Sequence, residues 1–216
     1  MSKVLVFVGG FAAPGNEWPL TPIRRIAREQ GWRTKYFNER LALGPLATSA
    51  ERLVELIVEL DQAHGTIVVI GHSMGGLVAE HAAALGAPID GLVTIGTPHQ
   101  GHNLSRFGPL PVMREMGTNS AYLRGVAAIP GERPPILVVT AAQDRFVPKS
   151  ATRPNRPHTL LEVPKIGHLR VIFDQSTADT IMEWADALTD KIAERHHISI
   201  GPLDRHVDPN SPAATS

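Results

Sequence analysis

The sequence contains no cysteine among its 216 residues. Disulfide bonds, thiolate metal sites and cysteine nucleophiles are therefore excluded, although this absence does not identify the cell compartment. No sign of charge is in excess either, because 21 basic side chains balance 21 acidic ones. Without a positive field to attract a polyanion, we expect no nucleic-acid partner.

Long apolar runs are also missing. The run from Val4 to Val8 is too short for the core of a signal peptide, and no small-residue cleavage site follows it. No run approaches the length of a membrane span. We therefore predict a cytoplasmic protein without stable membrane insertion, unless a leader has been removed from a secreted precursor.

The remaining composition is that of an ordinary globular protein, with 43% hydrophobic and 19% charged residues. A chain of this length predicts a single domain, which we place at residues 1–197. After His197 the residues turn to Pro, Asp, Asn, Ser and Thr. This composition predicts a flexible tail over residues 198–216.

Short apolar segments alternate with segments of helical periodicity along the chain. The predicted strands are residues 4–8, 33–37, 66–70, 92–95, 136–140 and 159–163. The main helices are predicted at residues 19–30, from a Thr48–Glu51 capping box to about 64, at 77–85, and from a Ser176–Asp179 cap to 192. Such alternation predicts an α/β fold with about six mostly parallel strands and helices on both faces, whose ligands bind beyond the carboxyl ends of the strands.

The most informative pattern is Gly71-His72-Ser73-Met74-Gly75, which lies between a predicted buried strand and a predicted helix. A strand, G-x-S-x-G and a helix in this order form a nucleophile elbow, a turn that holds its serine in strained backbone with the hydroxyl exposed. Both glycines are needed because side chains there would collide with the neighbouring strand or helix. A chance glycine-rich turn is the alternative interpretation.

A serine hydroxyl is a poor nucleophile near neutral pH, so it needs a base, and the base needs an orienting carboxylate. Asp144 follows the strand at residues 136–140, and His168 follows the last predicted strand. Taken singly, Asp144 could be a turn residue beside Arg145, and His168 could be a surface histidine. Their order along the chain is the one an elbow requires, so we predict the catalytic triad Ser73, Asp144 and His168.

Two backbone amides are candidates for an oxyanion hole. The first belongs to Met74, directly after the nucleophile and at the positive end of the following helix. The second belongs to Phe11 in the loop Gly9-Gly10-Phe11, which follows the first strand. These two glycines could also form a simple tight turn.

The other histidines are better explained by structure than by catalysis. We predict that His72 points into the fold and packs there, and that His99 makes a structural hydrogen bond. The remaining histidines have no paired ligand spacing with nearby carboxylates, so we expect neither a metal site nor a cofactor; they are His64, His81, His102, His158, His196, His197 and His206.

These motifs resemble the α/β-hydrolase family, and within it the small bacterial lipases and esterases with a minimal sheet. Residues 71–76 are identical to an elbow common in lipases, and residues 96–101, 117–123 and 167–169 resemble further lipase segments. The resemblance extends over about residues 3–193 and implies the α/β-hydrolase fold with a minimal cap. Two features depart from the family pattern: Gly9 replaces its usual histidine, and we expect the family's first two strands to be absent, since the given sequence begins at the strand that leads to the Gly9-Gly10-Phe11 loop.

The triad and the resemblance together predict a serine carboxylic-ester hydrolase that forms an acyl-enzyme and needs no cofactor. The expected partner is a small-molecule ester with a short- to medium-chain acyl group. A thioesterase or an acyltransferase would use the same triad, and a non-catalytic ligand-binding protein could share the fold. The sequence does not indicate an oligomeric state.

Residues 102–135 are the candidate cap over the site. Glycine and proline interrupt this segment, which argues against a long apolar lid. Phe107, Leu110, Met113 and Met116 are candidate substrate-binding residues, because phenylalanine and methionine form adaptable apolar walls. The same side chains could instead form the small core of this segment.

Overall fold

The computed structural model describes residues 2–11, 21–37, 44–62, 65–103 and 109–199, the last five of them by backbone alone. The strands are β1 (Lys3–Val8), β2 (Arg33–Phe37), β3 (Thr66–His72), β4 (Gly91–Ile95), β5 (Ile136–Ala141) and β6 (Thr159–Val163). The helices are α1 (Pro22–Glu29), α2 (Leu46–Asp61), α3 (Met74–Ala84), α4 (Pro111–Glu115), α5 (Ala121–Ala128) and α6 (Gln175–Ser199). Short 3-10 turns lie at Lys149–Ala151 and Arg170–Phe173.

The six strands form one sheet in the order β2-β1-β3-β4-β5-β6, and every neighbouring pair is parallel. All residues of β3, β4 and β5 are buried, whereas the edge strands β2 and β6 are partly exposed. Burial on both faces is what the continuous apolar runs of the central strands require. The predicted parallel sheet is therefore confirmed.

Two hydrophobic cores cover the two faces of the sheet. Successive strand residues point to opposite faces, so Val4 and Val6 pack with α2 and α3, while Leu5 and Phe7 pack with α1 and α6. These layers leave the loops at the carboxyl ends of the strands as the place where polar side chains can meet.

Two predicted helix caps are wrong. Helix α2 begins at Leu46, before Thr48, and the Leu46 amide donates to Glu115 Oε2 at 2.7 Å. At the start of α6 the cap is Asp174, whose Oδ2 accepts hydrogen bonds from Ser176 and Thr177. In the first case a distant side chain satisfies the helix amide, so a nearby cap is not needed.

The described part of the 102–135 segment packs against the body of the protein. Val112 and Met116 are buried in the core that also contains α2 and α3. The His102 amide donates to the Met116 carbonyl at 2.8 Å, and Ser120 caps α5 by accepting from the Leu123 amide. The buried residues of this segment therefore belong to the core shared with α2 and α3, which we call the main core.

The end of the last helix differs slightly from the predicted domain boundary, because α6 continues to Ser199. The tail predicted beyond it lies almost entirely outside the described residues. Among the helices that the structure describes, none combines the length and the apolar character needed to cross a membrane.

The close contact between β3 and α3 predicts how two glycine substitutions change the stability of the protein. A Cβ atom at Gly71 would lie 2.5 Å from Gly76 Cα. Gly71→Ala therefore forces the backbone apart, and it is expected to lower the free energy of unfolding by about 1–3 kcal/mol or more. Gly125 lies exposed within α5 and has open space around it. Gly125→Ala is therefore expected to raise the free energy of unfolding by about 0.5–1 kcal/mol. Urea unfolding measures both, and equal effects would contradict the prediction.

Candidate active site

Ser73 lies in the turn between β3 and α3, where it is the N-cap of the helix. Its φ of 54° and ψ of −122° place a non-glycine residue in strained backbone, at a cost of order 1–3 kcal/mol. The Ser73 amide donates to the Ile95 carbonyl at 2.8 Å, which fastens the turn to β4. A Cβ atom at Gly75 would lie 2.4 Å from the carbonyl oxygens of Val8 and Gly9, so glycine is required there. The predicted sharp turn is formed.

Asp144 and His168 meet at the ends of the two neighbouring strands β5 and β6. His168 Nδ1 lies 2.6 Å from Asp144 Oδ2, and the two side chains are 9% and 1% exposed, respectively. The other carboxylate oxygen of Asp144 accepts from the amides of Phe146 and Val147, both at 2.8 Å. These three hydrogen bonds fix the carboxylate and, through it, the imidazole.

The hydrogen-bond partners indicate which ring nitrogen of His168 carries a proton and why the Asp144 carboxyl is ionised. A carboxylate only accepts hydrogen bonds, so Nδ1 of neutral His168 donates its proton and Nε2 keeps a free lone pair. Burial alone would raise the pKa of the Asp144 carboxyl, but the bonds from His168, Val147 and Phe146 hold this pKa below its ordinary value. The Asp144 carboxyl is therefore ionised near neutral pH, and its oxygens accept the hydrogen bonds from His168 and the two amides.

His72 connects the serine turn to this pair. Its Nε2 lies 3.1 Å from the carbonyl oxygen of His168, and the two imidazole centroids are 4.8 Å apart. Gly96 closes the site from β4, because a Cβ atom there would lie 3.0 Å from His168 Nδ1 and 3.3 Å from Asp144 Oδ2. The loops after β3, β4, β5 and β6 therefore converge on one place.

The two oxyanion candidates border the same turn. Met74 is the first residue of α3, where a backbone amide has no partner within the helix. The loop containing Phe11 lies against the elbow, since a Cβ atom at Gly10 would lie 3.3 Å from Ser73 Cβ. The Phe11 side chain is half-buried and packs beside the core formed with α2 and α3. An oxyanion role for these amides stays a prediction.

His72 and His99 are both buried and neutral near neutral pH. Burial lowers the pKa of His72 and of His99 to about 4. His99 Nε2 forms a hydrogen bond with Thr94 Oγ1 at 3.0 Å. The bond of His99 agrees with its predicted structural role. His72 is buried as predicted, but its ring packs against His168 of the candidate site instead of lying apart from it. Within the described ranges, no group of three or more histidine or acidic side chains is placed to hold a metal ion.

The described candidate substrate-binding residues lie in or beside one core, and a substrate-binding role for them stays a prediction. Met116 is 8% exposed and belongs to the main core, whereas Leu110 and Met113 are half-buried at its margin. Phe107 lies outside the described residues. Phe146 was not predicted beside the site; its ring lies 5.6 Å from that of His168, and the residue is 64% exposed. Its position two residues after Asp144 is the signal that could have identified it.

A cavity of about 360 Å³ lies between α3, α5 and the loop at residues 154–156. Leu77, Tyr122, Val126 and Ile129 form much of its apolar wall. Glu80 and Arg156, which form an ion pair, line its polar side. Neither Ser73 nor the Asp144–His168 pair lines this cavity, so it is separate from the candidate site.

A family model, described as the PGAP1-like alpha/beta domain, matches residues 45–107, which include the serine turn. None of the curated proteins compared with the sequence matches it. Among solved structures, a protein assigned as the non-heme bromoperoxidase BpoC of Mycobacterium tuberculosis is similar, with a TM-score of 0.66 and 16% identity over 87% of this chain and 92% of that one.

Two further solved structures have the same architecture. A protein from Xanthomonas campestris pv. campestris, assigned to the alpha/beta hydrolase superfamily, has a TM-score of 0.62 and 21% identity over 87% of this chain and 99% of that one. The monoacylglycerol lipase of Paleococcus ferrophilus has a TM-score of 0.64 and 14% identity over 86% and 94%. The resemblance read from the motifs is confirmed at the level of architecture: this chain has the α/β-hydrolase fold.

Proposed function

We propose that the protein is a serine hydrolase that cleaves carboxylic esters through an acyl-enzyme. The observation that carries this proposal is the 2.6 Å hydrogen bond between His168 and Asp144, at the same end of the sheet as the strained Ser73 turn. An activated hydroxyl needs a base with a free lone pair and a carboxylate that orients the base. Asp144 and His168 have these properties.

In the acylation step, Ser73 Oγ attacks the ester carbonyl carbon while its proton passes to Nε2 of His168. The Asp144 carboxylate stabilises the imidazolium through Nδ1. The negative charge that develops on the carbonyl oxygen is stabilised by the amides of Met74 and Phe11. His168 then gives its proton to the leaving alcohol oxygen as the bond between that oxygen and the carbonyl carbon breaks.

Deacylation repeats these steps with water as the nucleophile. His168 accepts a proton from the water as its oxygen attacks the acyl carbon, and then returns a proton to Ser73 Oγ as the acid leaves. Every proton moves through one imidazole, so the reaction that we propose requires no redox step and no group beyond the chain and water.

The surroundings of the site support a small ester with apolar parts. Phe146 and Leu169, which flank the Asp144–His168 pair in sequence, are 64% and 61% exposed. Val112 and Met116 are held in the main core, which supports a site without a large movable lid. One structural neighbour is a monoacylglycerol lipase, which agrees with an ester substrate. We therefore propose short- to medium-chain esters as the substrates. The cytoplasmic location stays a prediction from the sequence.

The first test is Ser73→Ala. Since the serine lies in a turn and its hydroxyl is not part of the core, we expect unchanged folding and loss of ester turnover. A residual rate of roughly 10³-fold over water could persist from the oxyanion hole. Hydrolysis of a soluble butyrate ester and labelling by a fluorophosphonate measure this. Near wild-type turnover by the purified variant would reject the triad. A wild type that neither hydrolyses the ester nor reacts with the fluorophosphonate would instead indicate a non-catalytic binding protein.

The second test is the dependence of the rate on pH. Only neutral imidazole accepts the serine proton, so kcat/KM is expected to fall on acidification through the range in which a histidine base gains a proton. The low pKa of Asp144 keeps its carboxylate ionised over that range. A flat profile, with chemistry rate-limiting, would contradict a histidine base.

Stability must be followed in the same experiment. The pKa values of His72 and His99 are lowered from 6.5 to about 4, so the unfolded chain binds more protons than the folded one between these values. The free energy of unfolding is therefore expected to fall as pH decreases from about 6.5 to about 4. Circular dichroism at each pH separates loss of folded protein from loss of the base.

The third test concerns the absence of a lid. If a large lid covered the site, the rate would jump once the substrate exceeded its solubility limit. Because the 102–135 segment contributes Val112 and Met116 to the main core, we expect little or no jump. Measuring the rate of tributyrin hydrolysis across its solubility limit checks this. A sharp rise, or activity only on insoluble long-chain triglycerides, would show that a lid opens.

A further inference from the structure

His72 makes a contact that the catalytic mechanism above does not use. The side chain is 4% exposed, and its Nε2 lies 3.1 Å from the main-chain carbonyl oxygen of His168. Since a carbonyl only accepts hydrogen bonds, Nε2 carries the proton and donates it. The imidazole also packs against that of His168, with centroids 4.8 Å apart and planes inclined by 42°.

This contact holds the main chain of the proposed base. His168 lies in the loop after β6, and the loop is tied to the end of β5 by the Gln143 amide, which donates to the Ile166 carbonyl at 2.9 Å. The imidazole of His168 is bonded to Asp144, and its peptide carbonyl to His72. The ring and the backbone of one residue are therefore held from two different strands.

His72 is also covalently bonded to Ser73. A single hydrogen bond from His72 therefore links the residue before the nucleophile to the residue that accepts the nucleophile's proton. Proximity effects make such a link consequential, because displacing a catalytic group by about 1 Å can cost about 10²-fold in rate. A side chain that fixes the distance between the β3 turn and the β6 loop acts directly on this geometry.

We propose that His72 is a positioning residue for the base: its Nε2–H holds the His168 main chain against the Ser73 turn. The inference rests on the proposed roles of Ser73 and His168, and it adds a function for the residue between the glycine and the serine of the elbow. His72 does not touch the reacting atoms; it acts through His168.

The neutrality of His72 fits this role. Burial, followed by the neighbouring His168, lowers its pKa to about 4, so the ring is uncharged when the proposed reaction runs. A positive charge 4.8 Å from the imidazole of His168 would oppose proton transfer to that ring. A neutral donor can hold the carbonyl without this penalty.

Two substitutions separate the hydrogen bond from the packing. His72→Phe keeps an aromatic ring but removes the donor, and His72→Gln keeps an N–H donor without the ring. His99 supplies the matched control, since its pKa is lowered by burial to the same value but its side chain bonds to Thr94. His99→Phe and His99→Gln therefore report the cost of losing a buried neutral histidine that bonds to Thr94 rather than to His168.

We expect His72→Phe to lower kcat for a butyrate ester by about 10-fold or more, within the range that misplacement of a base produces. KM should change less than about twofold, since the proposed contact does not involve the bound ester. The rate of Ser73 labelling by a fluorophosphonate should fall by a similar factor, because labelling needs the same base. His72→Gln should recover most of both rates, while the His99 variants lose stability and keep kcat per folded molecule.

Each other outcome overturns the inference. If His72→Phe keeps kcat, the contact does not position the base; if His72→Gln is as slow, the donor is not what matters. If the His99 variants slow the reaction equally, burial rather than this bond is responsible. If His72→Phe does not fold, His72→Asn replaces it in the comparison with His72→Gln. The shorter amide of asparagine cannot span the distance to the His168 carbonyl oxygen. Failure of the proposed function itself is recognised separately, by an active Ser73→Ala variant or an unlabelled wild type.

Discussion

The site depends on how closely β3 and α3 approach each other. A side chain at Gly71 would meet the backbone of Gly76, and one at Gly75 would meet the carbonyl oxygens of Val8 and Gly9. Because these contacts leave no room to relax, the chain between the strand and the helix must turn sharply, and Ser73 is held at positive φ. The surrounding sheet, buried on both faces, supplies the stability that maintains this strain.

Around that turn, backbone and side chains from four strand ends hold one another. β4 accepts the Ser73 amide and provides Gly96, β5 provides the bonded carboxylate of Asp144, and β6 leads to His168. Parallel strands make this convergence possible, because their carboxyl ends lie along one edge of the sheet. A buried polar pair such as Asp144–His168 is stable there because its hydrogen bonds are made.

Much of the fold could be predicted, because the apolar runs of β1, β3, β4 and β5 are continuous and the elbow spacing is local. The two wrong helix caps have different causes. At α6 the cap is Asp174, two residues before the predicted Ser176, whereas at α2 the partner of the helix amide is distant in the chain. The Leu46 amide at the start of α2 donates to Glu115, which lies 69 residues away. Whether Met116 is a core residue also depends on packing that no local pattern encodes, and the structure places it in the core shared with α2 and α3.

The sequence by itself determined the alternation of strands and helices and the serine turn, since strand periodicity and the short G-x-S-x-G spacing are local properties. The order of Ser73, Asp144 and His168 could be read from the segments that follow the predicted strands. Only the tertiary structure decided that His72 donates to the His168 carbonyl and that Gly96 gives the Asp144–His168 pair its space. Both contacts join residues that are far apart in the chain. Their geometry follows from strand order and packing, which no short stretch of residues encodes.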